Sequence, residues 1–198
     1  MTSIGKRVFA AIAVTLAILI PVLTTAFVAM DETMAARTLP VDINPIPAFS
    51  AAQVNEDVLW LARCAYSETK RAEEQELVAW VVRNRVETGY RGQRAYRDVV
   101  LDPYQFSAFN PGSTKRRLFL NLHPESDAQG WQQALEIAHR VYYSPERDRP
   151  FDDRTRHFYS ERSMRGRMKP VWADGETPVQ VTGYTIDPRR FRFYSDIW

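Results

Sequence analysis

Four glutamates and the chain's single cysteine fall within LWLARCAYSETKRAEEQE, residues 59–76. A carboxyl group transfers protons at neutral pH when burial lifts its pKa from about 4 toward about 7. Glu68 is placed for that role. It ends a segment in which Val58, Leu61, Ala62 and Ala65 recur at helical spacing, and it lies close to Tyr66. Glu73, Glu74 and Glu76 instead open the next helical segment, where acids stabilise free N–H groups and need no further reason to be present. Cys64 lies four residues before Glu68, on the same helical face. A lone cysteine on an apolar face reads as a small buried hydrophobe, with a thiol nucleophile as the alternative.

Other chemistries find less support. His123, His139 and His157 are scattered, H-E-x-x-H is absent, and one cysteine builds no thiolate site, so no metal or other cofactor is expected. The Gly-rich nucleotide fingerprints and the G-x-S-x-G elbow are missing too. A formal net charge of +2 is too small to point to nucleic acid. From Arg154 onward nine Arg or Lys face five acids, an excess that suits either an anionic polymer or a solvated basic face.

The elements that must hold Glu68 follow from periodicity. Asn55 is a helix N-cap with Glu56 and Asp57 in the first turn, and the helix runs to about Glu68. Leu77, Val78, Val81, Val82 and Val86 lay out a second, deeply buried helix that Gly89 closes. Residues 90–124 read as loops with a short apolar turn at Val99 to Leu101. Ser126 and Gln129 form a capping box for a third helix whose apolar face is Trp131, Ala134, Leu135, Ala138, Val141 and Tyr142. RHFYS, VQVTGYTI and RFRFYSDI read as short strands, with Phe191 and Phe193 alternating. The fold class is therefore α+β and mainly helical, with a small C-terminal β element.

Ahead of this domain, Val8 to Met30 runs 23 residues without a charge, enough to cross a hydrocarbon layer of about 30 Å. Lys6 and Arg7 before it, and Asp31 and Glu32 after it, put residues 1–7 in the cytoplasm and the rest outside. Residues 8–30 are then a single-pass inner-membrane anchor or, alternatively, a cleaved signal. Residues 31–53, with Pro40, Pro45 and Pro47, form a tether, and residues 54–198 form the exported domain.

In order, LARCAYSE, LVAWVVRNRV, YQFSAFNPGS, RHFYS and RFRFYSDI resemble the segments of the SleB-type cell-wall hydrolases, the spore cortex-lytic enzyme family. The resemblance spans about Val58 to Ser195. It implies a lysozyme-like, mainly helical fold and a muramidase of lytic transglycosylase type acting on the MurNAc-GlcNAc β-1,4 bond of peptidoglycan glycan strands. It places the catalytic glutamate on Glu68, the N-R-V motif on Asn84 and Arg85, and the Q-F-S motif on Gln105, Phe106 and Ser107. Gln105, Ser107 and Asn110 are then expected to bond substrate N-acetyl and hydroxyl groups. Tyr66, Phe106, Tyr159 and Trp172 are candidates for stacking on sugars or for core packing, and Asn84 and Arg85 for holding a helix end.

The chain departs from the family where ETKRAEEQE replaces E-A-R-G-E and its loop: it is about two residues shorter and lacks a clear second glutamate. Three rival readings stand beside this one. They are a true hydrolase using Asp98 or Asp102, a zinc amidase using the histidines, and a non-catalytic, membrane-tethered wall-binding protein.

Overall fold

The computed structural model describes Phe49, residues 51–164 and residues 169–197. The expected anchor, residues 8–30, and almost all of the tether lie outside the described residues. Among the described residues no helix is long and apolar enough to cross a membrane.

Helix α1 spans Glu56–Glu68. The Asn55 side chain accepts from the Val58 N–H at 2.8 Å, and Glu56 and Asp57 occupy the first turn as expected. The helix ends because Thr69 is extended (φ −156°, ψ 163°), its N–H still reaching the Ala65 carbonyl. Glu68 is thus the last helical residue. Val58, Leu61, Ala62 and Ala65 are all fully buried, each large apolar side chain contributing roughly 1.5–3 kcal/mol.

Helix α2 (Ala72–Glu87) is buried nearly all round from Leu77 to Arg85 and packs on α1, on α5 (Trp131–Tyr143) and on the sheet. Gly89, at φ 62°, takes the left-handed conformation that closes it, and its N–H donates to the Val86 carbonyl. Two short helices, α3 (Tyr96–Leu101) and α4 (Arg116–Leu120), lie within the stretch read as loops. The apolar turn at Val99–Leu101 is the end of α3.

The expected apolar face of α5 is the observed one: Trp131, Ala134, Leu135, Ala138 and Val141 are buried, and Tyr142 is partly so. Its start differs from expectation. Ser126 Oγ accepts from the His123 N–H at 2.9 Å and caps no helix. The residue before Trp131 is Gly130 at φ 76°, a left-handed entry that glycine adopts readily and that leaves no place for a capping box.

Strands β1 (Thr155–Tyr159) and β2 (Arg192–Ser195) pair antiparallel, with His157 opposite Tyr194 and Phe158 opposite Phe193, and a bulge between Thr155 and His157. The expected middle strand is not one. Residues 179–186 reach β2 through a bond from the Val179 N–H to the Phe193 carbonyl, and Gly183, at φ 84°, interrupts the extended run. Phe191 and Phe193 share one side, their rings stacked 6.1 Å apart. Asn84 ties α2 to the sheet, its Nδ2 donating to the carbonyls of Asp152 and Thr155, the structural role expected of it.

Candidate active site

Where α1 stops, the chain opens a cleft of about 860 Å³. Glu68 and Ser67 come from the end of α1, Arg85 from the end of α2, and Tyr90 and Arg91 from the turn after it. The loop after α3 supplies Tyr104, Gln105, Ser107 and Asn110. His157, Phe158 and Tyr159 come from β1, and Pro170, Trp172, Arg190 and Phe191 from the C-terminal segment.

Of the residues singled out from the sequence, Glu68, Gln105, Ser107, Asn110, Tyr159 and Trp172 are brought together here. Tyr66 and Phe106 are not. Tyr66 precedes Glu68 by two residues, a spacing that turns side chains to different helix faces. Its ring packs edge-on against Trp131 and Phe119, and its hydroxyl donates to the Gln129 carbonyl at 2.9 Å. Phe106 is 1% exposed and lies behind the wall, with Phe158 on one side and the Arg85 guanidinium 5.0 Å from its ring centre. Tyr159 and Trp172 touch each other and Tyr194 in a small aromatic cluster, so they line the cleft and pack it at once.

Burial raises the Glu68 pKa to about 7, against a smaller downward pull from Arg85. At neutral pH the carboxyl is therefore divided between a proton-donating and a proton-accepting form. Among the described cleft-lining residues it is the one carboxylate. Asp102 comes near enough for its charge to act on Arg85, but its Oδ2 accepts from Arg91 Nε at 2.6 Å. Asp98 is exposed in the first turn of α3.

Arg85 does more than hold a helix end. Its Nε donates to the Arg156 carbonyl at 2.7 Å, and its guanidinium lies between the Tyr90 and Phe106 rings. Its Nη1 is buried with no hydrogen-bond partner among the described residues. Burial lowers its pKa to about 10, which leaves it charged at neutral pH as the cation acting on Glu68. Replacing Arg85 with Met should move the alkaline limb of the activity profile up by roughly one pH unit, because a catalytic acid relieved of a neighbouring cation holds its proton longer. Lys at that position should keep the wild-type limb, and kcat/KM measured against pH checks both.

His157 is held neutral, its pKa pushed down to about 4 by burial and by the charges of Arg85 and Arg156. Its Nε2 shares a hydrogen bond of 2.8 Å with the Tyr90 hydroxyl. The other histidines lie elsewhere: His123 is beside Glu125, and His139 is between Phe49 and Tyr143. Among the described residues no three His, Cys, Asp or Glu side chains are grouped to hold a metal ion.

The three glutamates of α2 differ from one another. Glu73 is exposed in the first turn, where the helix dipole accounts for it. Glu76 accepts from Arg140 and from the Tyr184 hydroxyl. Glu74 is 2% exposed and accepts from Arg190 Nε at 2.6 Å and Nη2 at 2.8 Å, while Thr69 Oγ1 donates to it at 2.5 Å. Burial acts to raise its pKa, but the Arg190 and Thr69 bonds outweigh this and leave it lowered. The reading of Glu74 as a dipole partner alone is corrected: it joins the turn after Glu68 to the cleft wall at Arg190. Cys64 is fully buried on the Glu68 face, its thiol pKa raised by burial and by the Glu68 charge, which describes an inert side chain.

The cell wall hydrolase family model matches residues 69–186, more than half of the 198 residues. The chain belongs to the cell wall hydrolase family. The match supports the SleB-type resemblance and places this protein among enzymes that act on peptidoglycan. It takes in every cleft residue of this cell wall hydrolase from Arg85 to Trp172 and begins one residue after Glu68. No curated protein and no solved structure matches the chain.

Proposed function

We propose that this cell wall hydrolase cleaves the MurNAc-GlcNAc β-1,4 bond as a lytic transglycosylase, with Glu68 as its single acid and then base. The observation that carries the reading is the cleft's inventory: one half-buried carboxyl with a pKa near 7 and, among the described lining residues, no second carboxylate. Hydrolysis by the usual routes needs two carboxyl groups at a set separation, one to donate a proton and one to act as nucleophile or base.

With one carboxyl, the steps balance without water. The Glu68 proton goes to the glycosidic oxygen, the bond from that oxygen to the muramic anomeric carbon breaks, and the electron pair leaves with the GlcNAc hydroxyl. The muramic 6-hydroxyl oxygen then bonds to the anomeric carbon and gives its proton to the Glu68 carboxylate, which restores the acid. Gln105 and Ser107 supply polar contacts to the sugars, and Trp172 and Tyr159 supply apolar faces. The placement of the acid, at a helix end in a cleft shared with a small sheet, fits this assignment. The charge pattern around residues 8–30 favours an N-terminal span that tethers the domain outside the inner membrane.

Digestion of purified sacculi by residues 49–198, followed by mass spectrometry, tests the proposal. The expected products carry 1,6-anhydro ends, lighter than reducing ends by one water. Reducing ends, or released stem peptides with intact glycan, would overturn it.

A further inference from the structure

Tyr104 combines two costs that a folded chain ordinarily avoids. The residue is 84% exposed, and its backbone sits at φ 66°, in the left-handed region that bulky side chains rarely occupy. The core does not explain either cost: among the described residues its ring meets no other aromatic ring and no cation. The strained turn is nevertheless held, because the Tyr104 N–H donates to Asn110 Oδ1 at 2.7 Å. Asn110 is itself fixed by backbone bonds from its N–H to the Ser107 carbonyl and from the Ser113 N–H to its own carbonyl. The residue that pins the turn and the residue that strains it both line the cleft that contains Glu68.

We infer that Tyr104 is a stacking platform for a pyranose ring of the glycan strand at the edge of the cleft, and that Asn110 is its positioning residue rather than a direct sugar contact. An exposed aromatic face offers an amphipathic sugar apolar contact at the cost of few rotatable bonds, and a side chain already fixed in place loses little entropy on binding. Continuity with the Glu68 cleft makes the occupant a glycan strand. In naming that ligand the inference rests on the proposed activity, but it concerns binding and not bond cleavage.

The test separates the two. Binding of purified, peptide-free glycan strands is measured in an inactive Glu68→Gln background, alone and with Tyr104→Ala, Tyr104→Phe or Asn110→Ala. Tyr104→Ala should weaken binding roughly three- to tenfold, Tyr104→Phe should leave it unchanged, and Asn110→Ala should weaken it only where Tyr104 is present. Tyr104→Gly should lose the same affinity while its melting temperature stays at or above that of the parent, since glycine relieves the strained φ. Equal binding by the Tyr104→Ala and parent proteins would overturn the inference, as would an Asn110→Ala loss that persists without Tyr104. Full sacculus-digesting activity in Glu68→Gln would instead count against the proposed catalytic role and leave the Tyr104 comparison to be made at Glu68 itself.

Discussion

Replacing Glu68 with Gln should reduce sacculus digestion by roughly a thousandfold while making the folded protein more stable above neutral pH. Activity falls because Gln fills the same space but neither donates nor accepts a proton at the glycosidic oxygen. The stability gain follows from linkage. Folding raises the Glu68 pKa from 4.5 to about 7, so between those values the folded protein binds more protons than the unfolded chain. Stability is therefore lost as pH rises through that window. Above it, the buried carboxylate costs up to roughly 3 kcal/mol, which an uncharged Gln avoids. Urea unfolding at pH 5 and pH 8 should give nearly equal stabilities for the two proteins at the lower pH and a more stable variant at the higher. A variant that is inactive but no more stable at pH 8 would break the link between burial and proton donation.

Replacing Arg190 with Ala should destabilise the fold by roughly 3–5 kcal/mol, the usual consequence of leaving a buried charge without its partner. Glu74, almost wholly enclosed, would keep only the Thr69 hydroxyl bond and the looser, exposed Arg71 guanidinium at 4.0 Å. The pH dependence has the opposite sign to that of Glu68. A carboxyl with a lowered folded pKa contributes stability above its unfolded value, and that contribution disappears as pH falls through the folded pKa. The gap between wild type and Arg190→Ala should therefore be widest near neutrality and close in acid. A Glu74→Gln, Arg190→Met double variant should recover much of the loss, since an uncharged pair leaves no buried ion. Thr69 adjoins Glu68, so the single variant should also lose kcat. Equal thermal denaturation of wild type and Arg190→Ala at pH 7 would refute this account of the turn.

These two glutamates mark what the sequence made legible. Glu68 is legible because its environment is local: an apolar helical face, a helix end and a family motif all lie within a few residues of it. The role of Glu74 depends on an arginine 116 positions away, and no periodicity connects them. The first-turn rule gave a sufficient explanation that the fold then superseded. Spacing alone separates Tyr66 from Glu68, because residues two apart on a helix diverge.

The helices show the same division. The faces of α1 and α5 follow from 3.6-residue periodicity, whereas the entry to α5 does not, because a left-handed glycine begins the helix where a Ser-x-x-Gln pattern offered an equally local alternative. VQVTGYTI has strand composition, yet Gly183 and the single backbone bond to β2 leave it outside the sheet. Arg85 could be placed at a helix end from its motif. Its approach to Glu68 required knowing that α1 and α2 both end at the same cleft.

Burial keeps the Glu68 carboxyl partly protonated at neutral pH, and catalysis depends on that proton. Carbon-13 NMR of glutamate-labelled residues 49–198, with the Glu68 signal assigned by its absence in Glu68→Gln, follows that proton directly. A titration midpoint near 7, moving upward in Arg85→Met, is the predicted result. A midpoint near 4.5 that does not respond to Arg85 would contradict it.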